Sequence, residues 1–311
     1  MPEPQLSIVI PAFRVAGCIG TCLRSIYSQE DRPLIEVIVV DDGSPDGEAL
    51  RAVLATFPGV RLEVHQSNRG MCAGRNTGIA ASSGRFVTIL DADDELVPGW
   101  PRVFAGLVAR WPEDHPACWA GCIGPTGRPT VSHPSYTGTM SLEDLLHERF
   151  SGEYLPLFRG PFIRGEGYTD IGTRKSCGII SYINFARKGP FWIDSAPVRI
   201  YHEHRPGSVT SGWHRPDKAA QSAQCLSELL IQHGGLYQRL APTMLPGKHA
   251  RLAVYRRLAG DIRGAWSAWF AGLKLPGGWR VLFAAPLVVL GSTGIWLVAL
   301  AKRCGVLRAH G

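Results

Sequence analysis

The sequence lacks the closely spaced cysteine pairs that structural zinc sites and disulfide-rich domains use. It contains 8 Cys, but it has no C-x-x-C, and Cys18/Cys22 and Cys118/Cys122 are each spaced by four residues. The chain also opens without an apolar signal region. We therefore expect reduced thiols that pack as small residues, in a protein of the cytoplasm.

A glycine-rich phosphate loop is also missing after the first apolar run, where residues 11–17 read PAFRVAG. Dinucleotide-dependent oxidoreductases and sugar nucleotidyltransferases need such a loop at this point. The absence excludes the first class and leaves the second as a weaker alternative. Because the basic residues are scattered and form no face with aromatic residues, we expect no nucleic-acid partner.

The chain is long enough for a large core, with 311 residues and a formal charge of +7. That charge suits an anionic partner such as a nucleoside diphosphate or a phospholipid, without choosing between them. From Leu6 to about Arg110, short β-branched runs alternate with amphipathic stretches. This βαβαβαβα order predicts an α/β fold with a doubly wound, mainly parallel sheet, helices on both faces and a helical, apolar C-terminal tail.

Acidic residues follow two of the predicted strands at the edge of the sheet where ligands bind. Asp41-Asp42 closes VIVVDD, and Asp91 and Asp93 follow VTIL. If the strand continued through Asp93, both carboxylates would share one face and suit Mg²⁺ or Mn²⁺. A solvated acidic turn before the next helix is the alternative. Asp94 and Glu95 are expected to serve that turn and helix.

In order and spacing, SIVIPAF, VIVVDDGSPDG and NRGMCAGRNTGIAASSGRFVTILDADD resemble family 2 glycosyltransferases, with looser matches at GYTDIGT and RPGSVT. The resemblance covers about residues 5–210. It implies a GT-A fold, a nucleotide-sugar donor, with UDP-sugars favoured, and transfer with inversion to a polysaccharide or lipid-linked acceptor of the cell envelope.

The resemblance also assigns roles to residues. Donor-binding residues are expected at Pro11, Ala12, Asp41, Asp42, Arg75, Asp91 and Ala92. Asp93 is the expected ligand of a divalent cation, with Asp91 and His204 as further candidates.

A general base is expected at Asp170, with Glu166 in reserve. The sequence departs from the family here, because Thr169 rather than an acid precedes Asp170. A catalytically silent nucleotide-sugar-binding relative is therefore the alternative function.

The chain is expected to divide into a transferase domain at 1–215, a helical extension at 216–265 and a membrane-associated segment at 266–311. Within the first, 1–115 is the nucleotide-sugar half and 116–215 the acceptor half, with a loop-rich stretch from Ala117 to Pro134. Residues 281–301 carry no charge. They could span a bilayer, lie in its interface or form a buried helical hairpin. We expect attachment at the cytoplasmic face.

Overall fold

The computed structural model describes residues 4–203, 212–291 and 293–294. The chain divides into two compact units, Met1–Arg205 and Pro206–Gly311. The first unit is an α/β domain and the described part of the second is helical.

One sheet organises the first unit, in which nine strands are described. Their order is β3-β2-β1-β4-β8-β6-β9-β5, and β7 also pairs with β9. The strands are β1 (Leu6–Ala12), β2 (Ile35–Asp41), β3 (Val60–Val64), β4 (Phe86–Ile89), β5 (Glu95–Leu96), β6 (Ala117–Ile123), β7 (Gly138–Met140), β8 (Leu155–Arg159) and β9 (Phe191–Ile200).

The two halves of this sheet differ in strand direction. β1 is parallel to both β2 and β4, and β2 is parallel to β3. β8 is antiparallel to its neighbours β4 and β6, whereas β6 and β9 are parallel to each other. The predicted doubly wound α/β fold is confirmed, and the parallel order lies mainly in its first half.

Seven helices of the first unit connect these strands or cover the sheet. They are α1 (Ile19–Tyr27), α2 (Gly47–Leu54), α3 (Met71–Ala81), α4 (Trp100–Arg110), α5 (Leu142–Leu146), α6 (Gly160–Glu166) and α7 (Gly178–Ala186). Ser141 caps α5, because its Oγ accepts a hydrogen bond from the Asp144 amide.

Residues of β1 are buried on both faces of the sheet, which explains why the sequence of this strand is almost entirely apolar. Ile8 and Ile10 belong to a core cluster with Ile19 and Leu23 of α1. The alternate residue Val9 faces α3, where a Cβ added to Gly78 would lie 2.2 Å from its Cγ1. Helices therefore pack on both faces of the sheet, and α3 approaches so closely that it needs glycine there.

The stretch that we expected to be loop-rich begins with a buried strand, so that prediction is wrong for β6. Its sequence, ACWAGCI, is poor in β-branched residues and gives a weak strand signal. The pairing of β6 with β9 shifts register around Gly121. A Cβ at Gly121 would lie 2.6 Å from the Ser195 carbonyl oxygen, so this bulge also depends on glycine.

The strand that precedes Asp91, Asp93 and Asp94 also ends earlier than predicted. β4 stops at Ile89, and the amide of Asp94 donates to the Asp91 carbonyl across a turn at 3.0 Å. Strand alternation therefore does not place Asp91 and Asp93 on one face. Their relation is set by the turn.

The second unit contains α8 (Pro216–Leu240), α9 (Leu245–Leu258), α10 (Ile262–Leu273) and α11 (Ala285–Leu290). Short 3₁₀ helices span Pro242–Met244 and Gly278–Ala284. A small core joins Ala219, Leu252, Ala268 and Val288. Among the described residues, no helix is both long and apolar enough to cross a bilayer. Residues 292 and 295–301 of the uncharged tail lie outside the described residues.

Replacing Gly78 by Ala should destabilise the first unit by about 1–3 kcal/mol, because its Cβ would overlap Val9. Gly165→Ala in α6 is the matched control, since its Cβ would meet nothing within 4 Å. Urea unfolding of both variants measures the difference. Equal stabilities for the two variants would contradict the close approach of α3.

Candidate active site

The strand order reverses beside β1, and this position defines a crevice at the carboxyl ends of the strands. β1 lies between β2 and β4, so the ends of those two strands are about 10 Å apart. The first residue of α3 follows Gly70, whose φ is 98°. The acidic ends of β2 and β4 and the start of α3 therefore share one edge of the sheet.

Asp42, just beyond β2, is buried and engaged by several donors. The amides of Arg69 and Gly70 each donate to its carboxylate at 2.8 Å. His65 Nδ1 lies 2.7 Å from its Oδ1, and the other ring nitrogen lies 2.8 Å from Thr77 Oγ1. With Nδ1 donating and Nε2 accepting from Thr77, the carboxylate is held rigidly in front of α3, with room for about one more hydrogen bond.

Asp41 shapes the loop beside it. Its Oδ1 accepts from the Ser44 amide at 2.8 Å, and Ser44 Oγ in turn accepts from the Arg14 amide at 3.1 Å. Arg14 has a φ of 58°, which is unusual for a residue with a side chain. The loops after β1 and β2 are thus fastened together.

Three further donor-binding residues are expected near these loops: Pro11, Ala12 and Ala92. Pro11 is partly buried, whereas Ala12 and Ala92 are almost fully buried. The two alanines could therefore meet a ligand mainly through their backbones.

Asp91 lies between two largely buried guanidinium groups, and 37% of its side chain is exposed. Arg75 Nη2 is 3.8 Å from its Oδ1, and Arg199 Nη1 is 3.8 Å from its Oδ2. Arg75 also donates to Ser176 Oγ at 3.2 Å and lies 5.1 Å from the Tyr168 ring centroid. Its Nε is buried without a hydrogen-bond partner among the described residues.

Arg199 of β9 is the most connected cation of the crevice and is 3% exposed. Its Nη1 lies 3.2 Å from Asp94 Oδ2. Nε donates to Cys122 Sγ at 3.2 Å, and Nη2 donates to the Tyr154 carbonyl at 3.3 Å. One guanidinium thus joins the turn after β4 to β6, to β9 and to the residue preceding β8.

Asp94 is a buried acid, which corrects our expectation that it only serves the turn. Burial raises its pKa, and the positive charge of Arg199 and the hydrogen bond donated by the His202 amide lower it. Burial has the larger effect, so the pKa rises from 3.8 to about 7. Within the described residues, Asp94 Oδ2 accepts no hydrogen bond in spite of its nearness to Arg199. The attraction therefore offsets only part of the desolvation penalty.

Glu95 was expected to serve the turn and the helix that follows, but its side chain contacts a histidine instead. It lies 2.8 Å from His202 Nε2, which fastens the end of β9 to β5. The predicted candidate His204 lies outside the described residues.

The two candidates for the general base lie on either side of Tyr168. Asp170 is exposed, and its Oδ1 accepts from the Gly172 amide at 2.9 Å. Glu166 ends α6, and its Oε1 lies 3.6 Å from Lys188 Nζ in a separate polar cavity of about 410 Å³. The Tyr168 ring packs against Arg75, a residue of the crevice. Asp170 is therefore only two positions along the chain from a residue in contact with the crevice. Glu166 is equally near in sequence but is paired with a cation.

The carboxylates fit a divalent cation only in part. Asp91 and Asp93 are partly exposed and offer hard oxygen ligands. No group of three or more His, Cys, Asp or Glu side chains in the described part of the chain forms a ready metal site. Mg²⁺ often takes just one or two protein carboxylates and completes its shell with substrate phosphates and water. The residues therefore suit a cation that arrives with a diphosphate.

The sequence reading missed Arg199, His65 and the burial of Asp94. Arg199 lies in β9, FWIDSAPVRI, where a charged residue between apolar neighbours was the available signal. His65 follows β3 directly, at the same edge as the acidic pairs. The residues that Arg199 and His65 contact could not be identified without knowing how distant strands pair.

Asp94→Asn should remove a pH-dependent component of stability. Folded Asp94 keeps its proton to about pH 7, whereas the unfolded carboxyl group loses it near its ordinary pKa of 3.8. The folded state binds more protons in this window, so the component falls, by at most about 4 kcal/mol, as pH rises through it. Urea unfolding of both chains from about pH 4 to about pH 8 measures the difference. An advantage of the wild type that grows with pH would contradict the raised pKa.

Comparison with known proteins agrees with this geometry. Residues 7–160 match the family model described as glycosyl transferase family 2. An uncharacterised glycosyltransferase of Escherichia coli, YibD, is 33% identical over 134 residues, which are 42% of this chain and 38% of that protein. The GalNAc(5)-diNAcBac-PP-undecaprenol beta-1,3-glucosyltransferase of Campylobacter jejuni is 26% identical over 67% of this chain and 68% of its own length. The chain thus spans well under two thirds of the first relative.

Solved structures share the fold. S. aureus TarS 1-349 in complex with UDP-GlcNAc superposes with a TM-score of 0.59 at 15% identity, covering 97% of this chain and 92% of that chain. The mannosyltransferase PcManGT of Pyrobaculum calidifontis, in complex with GDP-Man and Mn²⁺, gives a TM-score of 0.53 at 21% identity, covering 97% and 85%. The matched residues, 7–160, assign the first unit of this chain to glycosyl transferase family 2, a family of transferase enzymes.

Proposed function

We propose that this protein transfers a sugar from a nucleoside diphosphate donor to a hydroxyl group of a glycan or lipid-linked acceptor, with inversion at the anomeric carbon. The observation that carries the proposal is the crevice beside β1. It has the rigid Asp42 carboxylate on one side and Asp91, between Arg75 and Arg199, on the other. The spacing of about 10 Å between β2 and β4 suits a nucleotide whose base and diphosphate bind at opposite sides.

The residues divide naturally between the two ends of the donor. Asp42 is already oriented by Arg69, Gly70 and His65, and its remaining acceptor capacity suits an N–H of the base. Arg75 lies beside Asp91, and its Nε has no hydrogen-bond partner in the described part of the chain, so Arg75 suits the phosphate end.

Asp93 is the better candidate for a metal ligand, with Asp91 in support. Asp91 already has two guanidinium groups at 3.8 Å, which weaken its attraction for a further cation. When bound, Mg²⁺ or Mn²⁺ would neutralise charge on the diphosphate. Arg75 and Arg199 fix the position of Asp91, so the turn presents its carboxylates in one arrangement.

A single displacement step accounts for the chemistry. Asp170 takes the proton of the acceptor hydroxyl as its oxygen forms a bond to the anomeric carbon. The bond from that carbon to the diphosphate breaks, and its electron pair leaves with the nucleoside diphosphate. We favour Asp170 over Glu166 because Lys188 already pairs with Glu166.

Relatives support the substrate classes. TarS structures contain UDP-GlcNAc or UDP, and the mannosyltransferase contains GDP-Man, so both uridine and guanosine donors occur on this fold. We favour a UDP-sugar. The C. jejuni relative is named for a lipid-linked acceptor, which supports that acceptor class here.

A catalytically silent nucleotide-sugar-binding protein is the second candidate, favoured by Thr169 at the position before Asp170. It would bind donor without transferring sugar. Calorimetric titration of the wild type with nucleotide sugars, beside a turnover assay, separates the two functions.

Asp93→Ala should lower turnover of the preferred nucleotide sugar with Mn²⁺ by about 100-fold or more, because a ligand of the diphosphate-bound cation is lost. Asp31→Ala is the matched control, since that exposed carboxylate pairs with Arg102. The measurement is release of nucleoside diphosphate, screened over several donors. Equal activity of wild type and Asp93→Ala would remove the metal role.

Asp170→Asn should reduce kcat by about 10²- to 10⁴-fold while donor affinity, measured by calorimetry, stays unchanged. Glu166→Gln should change kcat little. If Glu166→Gln loses activity and Asp170→Asn keeps it, the assignment of the base is wrong.

A further inference from the structure

The second unit presents large apolar side chains that its core does not cover. Three belong to the 3₁₀ helix Gly278–Ala284: Trp279 is 60% exposed, Leu282 52% and Phe283 78%. We call these three residues the aromatic tip. The rings of Trp279 and Phe283 lie 5.9 Å apart, so the tip is a contiguous surface.

The tip belongs to a segment that is fastened to α10. Val281, in the middle of the segment, is fully buried. Its carbonyl accepts a hydrogen bond from Trp269 Nε1 at 3.2 Å. A Cβ at Gly278 would lie 2.4 Å from the Leu273 carbonyl oxygen, so the chain packs closely there as well. The apolar side chains therefore point outward from a fixed backbone.

The charged residues that neighbour the tip in the chain are all basic. Lys274 and Arg280 are exposed on the two sides of Trp279 in the chain, and the Arg280 guanidinium lies 5.7 Å from the Trp279 ring centroid. No Asp or Glu occurs after Asp261 in the whole sequence. A surface of this kind attracts anions and repels basic partners.

Together, the exposed apolar side chains and the basic residues indicate what kind of partner this surface contacts. Large aromatic and aliphatic side chains exposed together are unusual on a protein surface that faces only water. Trp beside Arg and Lys is the arrangement that meets the boundary between lipid headgroups and acyl chains. The neighbouring α11 adds Val289 and Leu290, which are 54% and 41% exposed.

We propose that the aromatic tip inserts into the surface of an anionic lipid bilayer, with Lys274 and Arg280 at the level of the lipid phosphates. The tip holds the protein on the membrane as a peripheral protein. This proposal is independent of the transferase reaction, because it uses none of the residues of the crevice.

Sedimentation of the full chain with lipid vesicles tests the proposal. Wild type should bind vesicles of equimolar phosphatidylcholine and phosphatidylglycerol more strongly than vesicles of phosphatidylcholine alone. The double variant Trp279→Ser, Phe283→Ser should bind the mixed vesicles about tenfold or more weakly. Lys274→Glu, Arg280→Glu should abolish the preference for phosphatidylglycerol.

Ile231→Ser is the matched control, because this side chain of α8 is 76% exposed and lies outside the tip. It should bind vesicles as wild type does. Circular dichroism confirms that each variant is folded, and gel filtration reports self-association. The proposal is overturned if the tip variant binds like wild type, or if its substitutions dissociate a dimer without changing lipid binding.

Discussion

The first unit depends on one buried cation. Arg199 of β9 contacts the turn after β4, the thiol of Cys122 in β6 and the Tyr154 carbonyl before β8. A lone buried guanidinium would be strongly destabilising, and these contacts, together with Glu153 Oε2 at 3.4 Å from Nη2, offset that cost. The same contacts join the parallel half of the sheet to the half with mixed strand directions. Asp91 is therefore positioned by residues from both halves.

The crevice is less negative than its sequence suggests. Asp91, Asp93 and Asp94 form a run of acids, but Arg75 and Arg199 lie within the same cluster. Burial also raises the pKa of Asp94 to about 7, so this side chain is only partly charged near neutrality. The two cations thus offset much of this negative charge, and the crevice repels an anion less than three free carboxylates would.

Local patterns predicted the first half of the fold and the edge of the sheet at which its acidic residues lie. Mostly apolar runs located β1, β2 and β4, and the amphipathic stretches between such runs predicted the helices that follow them. They failed at β6, whose small residues lack a strand signal, and at the end of β4, where a turn replaces alternation. Arg199 and His65 could not be assigned roles, because their partners are distant in sequence. Such contacts depend on strand pairing, which periodicity does not report.

The position of Arg199 has a consequence for recombining domains. The loops after β1, β2 and β4 all precede it in the chain, yet the turn that carries Asp91 and Asp94 is completed by this side chain from β9. A chimaera that takes residues up to α4 from another family member would bring its own turn but inherit this arginine. Exchange between relatives should therefore keep the turn after β4 and the end of β9 from one parent.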